Sequence, residues 1–129
     1  MSYSFNKIVS KNFDEAVAYV TEELKKEGFG VLTEIDVKAT MKKKIDKDIK
    51  PYRILGACSP NHAFQALNAE PLIGLMLPCN VVVRETDNGK IEISAIDPIE
   101  SMCAVKNEKL AEVAKVVREK LKKVIESLN

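Results

Sequence analysis

No charge of either sign dominates this chain of 129 residues: 20 basic side chains stand against 19 acidic ones, for a formal net charge of +1. A dedicated nucleic-acid binder carries a basic excess on at least one face, so the balance argues against a nucleic-acid partner. Long apolar runs are also missing. The longest, residues 72–77, is interrupted by Gly74 and ends at Pro78. That is far short of the ~20 residues that span a bilayer, and no membrane partner is expected. Residues 1–7 lack the basic start, apolar core and small-residue cleavage site of a signal peptide, which makes the cytoplasm the expected location.

Cysteine is sparse and odd in number, with Cys58, Cys79 and Cys103 in no paired spacing. That is not a disulfide framework, and in a reducing cytosol the three are expected as free thiols. Without a Cys-x-x-Cys pair to anchor one, a metal site built from Cys58, His62, Cys79 and Cys103 is not expected. The scattered glycines match neither a dinucleotide-binding nor a P-loop arrangement, so no cofactor is implied. The chain shows no serine triad signature, internal repeat, Pro- or Gly-rich linker or low-complexity tail.

What remains is a folded composition, 46% hydrophobic and 30% charged, at the size of one ordinary domain. A single domain over residues 1–129 is expected. Residues 3–9 alternate weakly, as a first strand does. Asn12 with Glu15 three residues later forms a capping-box pattern, and Phe13, Ala16, Val17, Val20 and Leu24 then make one helical stripe. Glu22 and Lys26 are placed for an ion pair on its wet side, and Gly28 ends the helix. Residues 30–37 read as a second strand, and Asp36 caps a lysine-rich helical turn running to about Ile45. A third strand spans residues 52–57. Ser59-Pro60 opens a helix over residues 61–68, because proline suits the first helical position. Residues 81–83 and 91–95 are strands joined by an Asp87-Asn88-Gly89 hairpin loop. Last comes a long amphipathic helix, with Leu110, Ala114, Val117, Leu121, Val124 and Leu128 alternating at four and three. It is too short to compete as a coiled coil and is expected to pack on the sheet. The fold class is therefore α+β, a mostly antiparallel sheet in the order β-α-β4-α with both main helices on one face.

The stretches Gly56-Ala57-Cys58-Ser59-Pro60 and Leu77-Pro78-Cys79-Asn80-Val81-Val82-Val83 resemble the domain-of-unknown-function 302 family of small prokaryotic proteins. Residues 28–40 and 52–56, Ala66-Leu67, Glu70-Pro71, Gly74 and Asp97-Pro98 add to the resemblance, which covers almost the whole chain. It implies a fold like that of the TATA-binding protein, consistent with the element order read above. It implies no established activity, so no catalytic residue is carried over. The family more often has Asn where this chain has Ser59, and both residues cap helices well.

Chemistry is best placed at the corner holding Cys58, Ser59, Asn61 and His62, with Cys79 as a neighbour. Cys58 ends a strand just before a helix start, where backbone N–H groups favour negative charge, and His62 is close enough in sequence to point back towards it. Ser59 is expected at or beside the N-cap, its hydroxyl accepting from a backbone N–H. Asn61 and the helix start can hold an anion without a covalent step. The bland alternatives are that Cys58 and Cys79 are buried, unreactive packing groups near each other and that His62 is a helix-surface residue. Residues 42–44 with Lys47 and Lys50 read as a solvated face, diluted by Asp46 and Asp48 and without aromatic interleaving.

Three readings stay open. The first is a small homo-oligomeric protein, most simply a homodimer, that binds an anion or small metabolite near Cys58, Ser59, Asn61, His62 and Cys79. The second is a thiol-based enzyme or redox protein using Cys58, with Cys79 as its resolving partner. The third is a structural or interaction domain. Dimerisation is expected because the apolar stretch at residues 72–77 and the hydrophobicity on both sides of Val81-Val82-Val83 exceed what two main helices cover.

Overall fold

The computed structural model describes residues 2–129. Its elements are β1 (Ser4–Val9), α1 (Phe13–Lys26), β2 (Gly30–Asp36), α2 (Val37–Ile45), β3 (Tyr52–Cys58), α3 (Pro60–Ala69), a 3-10 segment (Pro71–Met76), β4 (Cys79–Glu85), β5 (Ile91–Ile96), α4 (Pro98–Ser101) and α5 (Glu108–Glu126). Local chemistry sets their limits. Asn12 Oδ1 accepts from Glu15 N at 2.8 Å, and Glu15 Oε1 accepts from Asn12 N at 3.3 Å, so both halves of the capping box form at α1. Gly28 follows that helix at φ +85°, the left-handed geometry that a residue without Cβ adopts freely. The expected Glu22–Lys26 pair does not form. Lys25 bonds Glu22 at 3.2 Å and Lys26 bonds Glu23 at 3.1 Å instead, because three-residue spacing also makes helix-surface neighbours. Asp36 caps α2 by accepting from Ala39 N at 2.9 Å. The β4–β5 hairpin closes with Thr86 N donating to Lys90 O at 2.7 Å, and Gly89 turns at φ +77°.

The sheet has five strands in the order β1-β5-β4-β3-β2, with every adjacent pair antiparallel. The first strand thus borders the last, and α1 must carry the chain from one edge of the sheet to the other. Ala16, Val20 and Leu24 of α1 join Val117, Leu121, Val124 and Ile125 of α5 over Leu55, Val81, Val83, Ile93 and Ala95. The strand residues in that cluster alternate along each chain, as a sheet with one packed face requires. Both main helices therefore cover one face, and α5 is buried along the stripe that its sequence spacing marks. The opposite face mixes Asn6, Asn80, Val82 and an Arg84–Glu92 ion pair at 2.8 Å with half-exposed Ile8 and Ile35. Among the described residues, no helix is long and apolar enough to cross a membrane.

The sequence spacing did not indicate the 3-10 segment or α4. The carboxylate of Asp97 accepts from Ile99 N at 3.0 Å, capping α4, and from Arg118 Nε of α5 at 3.0 Å. Asp97 is buried, a position a charge holds only when it is paired and hydrogen-bonded. The ion pair ties α4 to α5, and α3 packs on α5 as well. Ala66, Ile73, Met102, Leu110 and Ala114 form a second apolar cluster there, beside the end of the sheet where β4 begins and β3 stops.

Candidate ligand-binding site

Strand register brings the two cysteine motifs together. On β3 and β4 the Cα partners are Ala57 with Cys79, so Cys58, the next and last residue of β3, sits at the same strand end as Cys79. Beyond Cys58 the chain turns at Ser59 (φ −101°, ψ 106°) into α3, with Pro60 in its first turn. It returns through the 3-10 segment and a cis Leu77–Pro78 peptide to the start of β4. Gly56 is what allows this return. A Cβ there would collide with Thr33 Oγ1 and would come 2.7 Å from Pro78 Cγ. Pro78 and Thr33 therefore close over bare backbone.

Between these elements is a cavity of about 300 Å³. The sheet contributes Ala57, Cys58 and Cys79. Ser59, His62, Ala63, Ala66 and Leu67 come from the α3 side, and Leu110, Val113, Ala114 and Val117 come from α5. Phe29, Leu32, Leu77, Pro78, Pro98 and Met102 complete the wall. Leu32 reaches it through a bulge: Val31 pairs with Ala57 and Thr33 with Gly56, so one strand carries an extra residue. A bulge re-aims a side chain in this way. The wall contains no Asp, Glu, Lys or Arg, and its only polar side chains gather at one end, at Cys58, Ser59, His62 and Cys79.

Those four behave differently from one another. Cys79 is buried, and burial, helped by the nearby Cys58 charge, pushes its thiol from 9.0 up to about 11. It is a protonated thiol at neutral pH. Cys58 is only partly exposed, so both thiols are mostly buried as expected; it ends its strand at the cavity and is less fully covered than Cys79. Ser59 does occupy the N-cap, but its hydroxyl makes no bond to a backbone N–H. Its Oγ lies 2.7 Å from His62 Nδ1 instead, because the imidazole one turn ahead competes for the same oxygen. Asn61 is exposed and does not line this cavity: at the second position of α3 it is rotated away from the face that α5 packs against. Cys103 is exposed, as expected from its place after the last strand. Among the described residues, no group of three or more His, Cys, Asp or Glu side chains is arranged to hold a metal ion.

Sequence reasoning missed the apolar majority of the wall. One signal was available, namely the small residues Ala63 and Ala66 of α3 facing Ala114 of α5, where short side chains leave space between packed helices.

The family model for the domain of unknown function DUF302 matches residues 5–128. A crystal structure of an uncharacterized conserved DUF302 protein from Bacillus stearothermophilus is 28% identical and superposes with a TM-score of 0.92. That match covers 100% of each chain. Among curated proteins, none matches the chain.

Proposed function

The chain belongs to the DUF302 family, and on that footing we propose that it is a small binding protein whose ligand is a compact, largely apolar molecule held in the cavity beside Cys58. The observation that carries this reading is the cavity wall: about 300 Å³ lined by apolar side chains and open to solvent on one side, with Ser59, His62 and two thiols among the lining. Ligand pockets of small molecules are built in this way, with apolar walls for affinity and a few placed polar groups for orientation. A neutral or weakly polar ligand suits this wall better than the anion that the helix start alone suggests. No cationic side chain lines the cavity, and Asn61 does not reach it. The setting we take to be cytoplasmic, where the three free cysteines persist as thiols.

Assembly as a homodimer belongs to the same reading. Phe64, Leu67, Leu72 and Leu75 stand exposed on α3 and the 3-10 segment, and Leu32 joins them at the rim of the cavity. Large apolar side chains exposed together on one segment are a usual mark of association. The test is a thermal-shift series with neutral aromatic and aliphatic molecules set against inorganic phosphate and small carboxylates. The neutral series should raise the melting temperature in proportion to concentration. A response confined to the anions would overturn the reading.

A second reading, thiol chemistry at Cys58, is favoured by one specific observation: Cys58 and Cys79 open onto the same cavity.

A further inference from the structure

We infer that Cys58 and Cys79 form a working dithiol, and that the molecule the cavity accepts is a small, uncharged disulfide which they reduce. The inference rests on the binding reading above and gives that ligand a chemical class. Three observations carry it. The β3–β4 register sets Cys79 opposite Ala57, and Cys58 follows Ala57 as the last residue of β3, so the two cysteines sit at the same strand end. Both side chains line one cavity, with unequal access: Cys58 is partly exposed, whereas Cys79 is 7% exposed and its thiol makes no hydrogen bond among the described residues. The rest of the wall carries no charge, which admits an apolar substituent and penalises a charged one.

That inequality assigns the roles. Cys58 is the thiol an incoming disulfide meets, so its thiolate attacks one substrate sulfur. A Cys58–substrate disulfide forms, the substrate S–S bond breaks, and the leaving thiolate takes up a proton. His62 lines the same cavity, and its Nδ1 is engaged by Ser59 Oγ at 2.7 Å. Its Nε2 is thereby the ring nitrogen left to exchange that proton. In the second step the Cys79 sulfur, giving up its own proton, attacks the Cys58 sulfur. A Cys58–Cys79 disulfide forms and the second substrate thiol leaves with the proton. Two electrons and two protons pass from the protein thiols to the substrate, which becomes two thiols. A dithiol reductant returns the protein to its starting state. The second step is the slower one, because Cys79 must lose its proton in an apolar environment.

The test uses the full chain carrying Cys103→Ser, which removes the exposed third thiol, and 4,4′-dipyridyl disulfide as the uncharged probe. Released pyridine thione is followed by absorbance, and the linkage is mapped by mass spectrometry. The expected result is biphasic release of two equivalents of thione, ending in a Cys58–Cys79 disulfide. Adding Cys79→Ala should leave one equivalent and a stable mixed disulfide at Cys58, and adding Cys58→Ser should abolish fast release. Oxidised glutathione, being charged, should react about tenfold more slowly than the uncharged probe because its charges must be desolvated. A stable mixed disulfide in the Cys103→Ser protein itself would overturn the inference. So would labelling of Cys79 in the Cys58→Ser variant as fast as that of Cys58. The linkage mapped in the Cys103→Ser protein decides by itself if a further variant fails to fold. Binding of 1-aminoanthracene, which has no thiol chemistry, separates the dithiol from the binding site beneath it. If the dye binds while exchange fails, the dithiol falls and the binding site stands; if it does not bind, the binding site falls as well.

Discussion

Ser59 Oγ stands 2.7 Å from His62 Nδ1, so the residue at the N-cap of α3 spends its hydroxyl on a side chain and not on the helix backbone. The bond fixes the imidazole at the polar end of the cavity. It also changes what a substitution at Ser59 should do. Ser59→Ala is expected to cost about 1 kcal/mol, the worth of a part-buried hydrogen bond, and His62→Ala should lose a similar amount. In the double variant the two losses should not add, leaving a coupling energy of roughly 0.5–1.5 kcal/mol. Additive losses in urea denaturation would mean that Ser59 acts on the helix independently of His62.

Gly56 has no room for a methyl group between Thr33 and Pro78. Gly56→Ala should force the Pro78 return away from β3 and destabilise the fold by about 1–3 kcal/mol, the usual cost of overpacking. Chemical denaturation reads the loss directly. A variant as stable as the parent would show that the Leu77–Pro78 segment yields freely and does not shape the cavity.

The buried thiol makes a prediction about alkaline pH. Folding raises the Cys79 pKa from 9.0 to about 11, so the folded protein holds that proton more tightly than the unfolded chain. The corresponding stability is fully present below pH 9 and is lost as pH rises through about 11. For a shift of this size the loss is of order 2 kcal/mol. Comparing stability at neutral and alkaline pH for the parent and for Cys79→Ala isolates this contribution, since the variant should lack that part of the decline. An identical decline in both proteins would assign the effect to other groups.

Much of the framework was legible because it is written locally. The Asn12–Glu15 box, the Asp36 cap, the turn at Gly89 and the stripe from Leu110 to Leu128 each depend on residues within a few positions of one another. The site was legible at Cys58, Ser59, His62 and Cys79 and not beyond them. Its apolar wall comes from segments far apart in sequence, and an empty volume is a property of their docking and not of any one segment. One local reading failed for an identifiable reason: Ser59 had two possible partners and took the imidazole. The 3-10 segment was hidden because Pro71–Met76 lacks both a helical stripe and strand alternation.

Assembly is a separate expectation. Light scattering of the pure protein at micromolar concentration should give twice the chain mass of 14.4 kDa. Leu75→Glu, which places a charge on the most exposed of the large apolar side chains, should shift the population to monomer without unfolding it. A parent protein that runs as a monomer would remove the dimer from the account.

The central claim is that the space between α3, α5 and the β3–β4 end receives a compact apolar molecule, and filling that space tests it most directly. Ala114 is buried in the wall contributed by α5, and Leu at that position occupies volume that a ligand would otherwise take. Fluorescence titration with 1-aminoanthracene should show one saturable site per chain in the parent protein. Ala114→Leu should retain the far-ultraviolet dichroism of the parent and lose at least about 1.4 kcal/mol of binding free energy, a tenfold weakening. Equal affinity in the parent and in folded Ala114→Leu, or no saturable binding to the parent, would contradict the account.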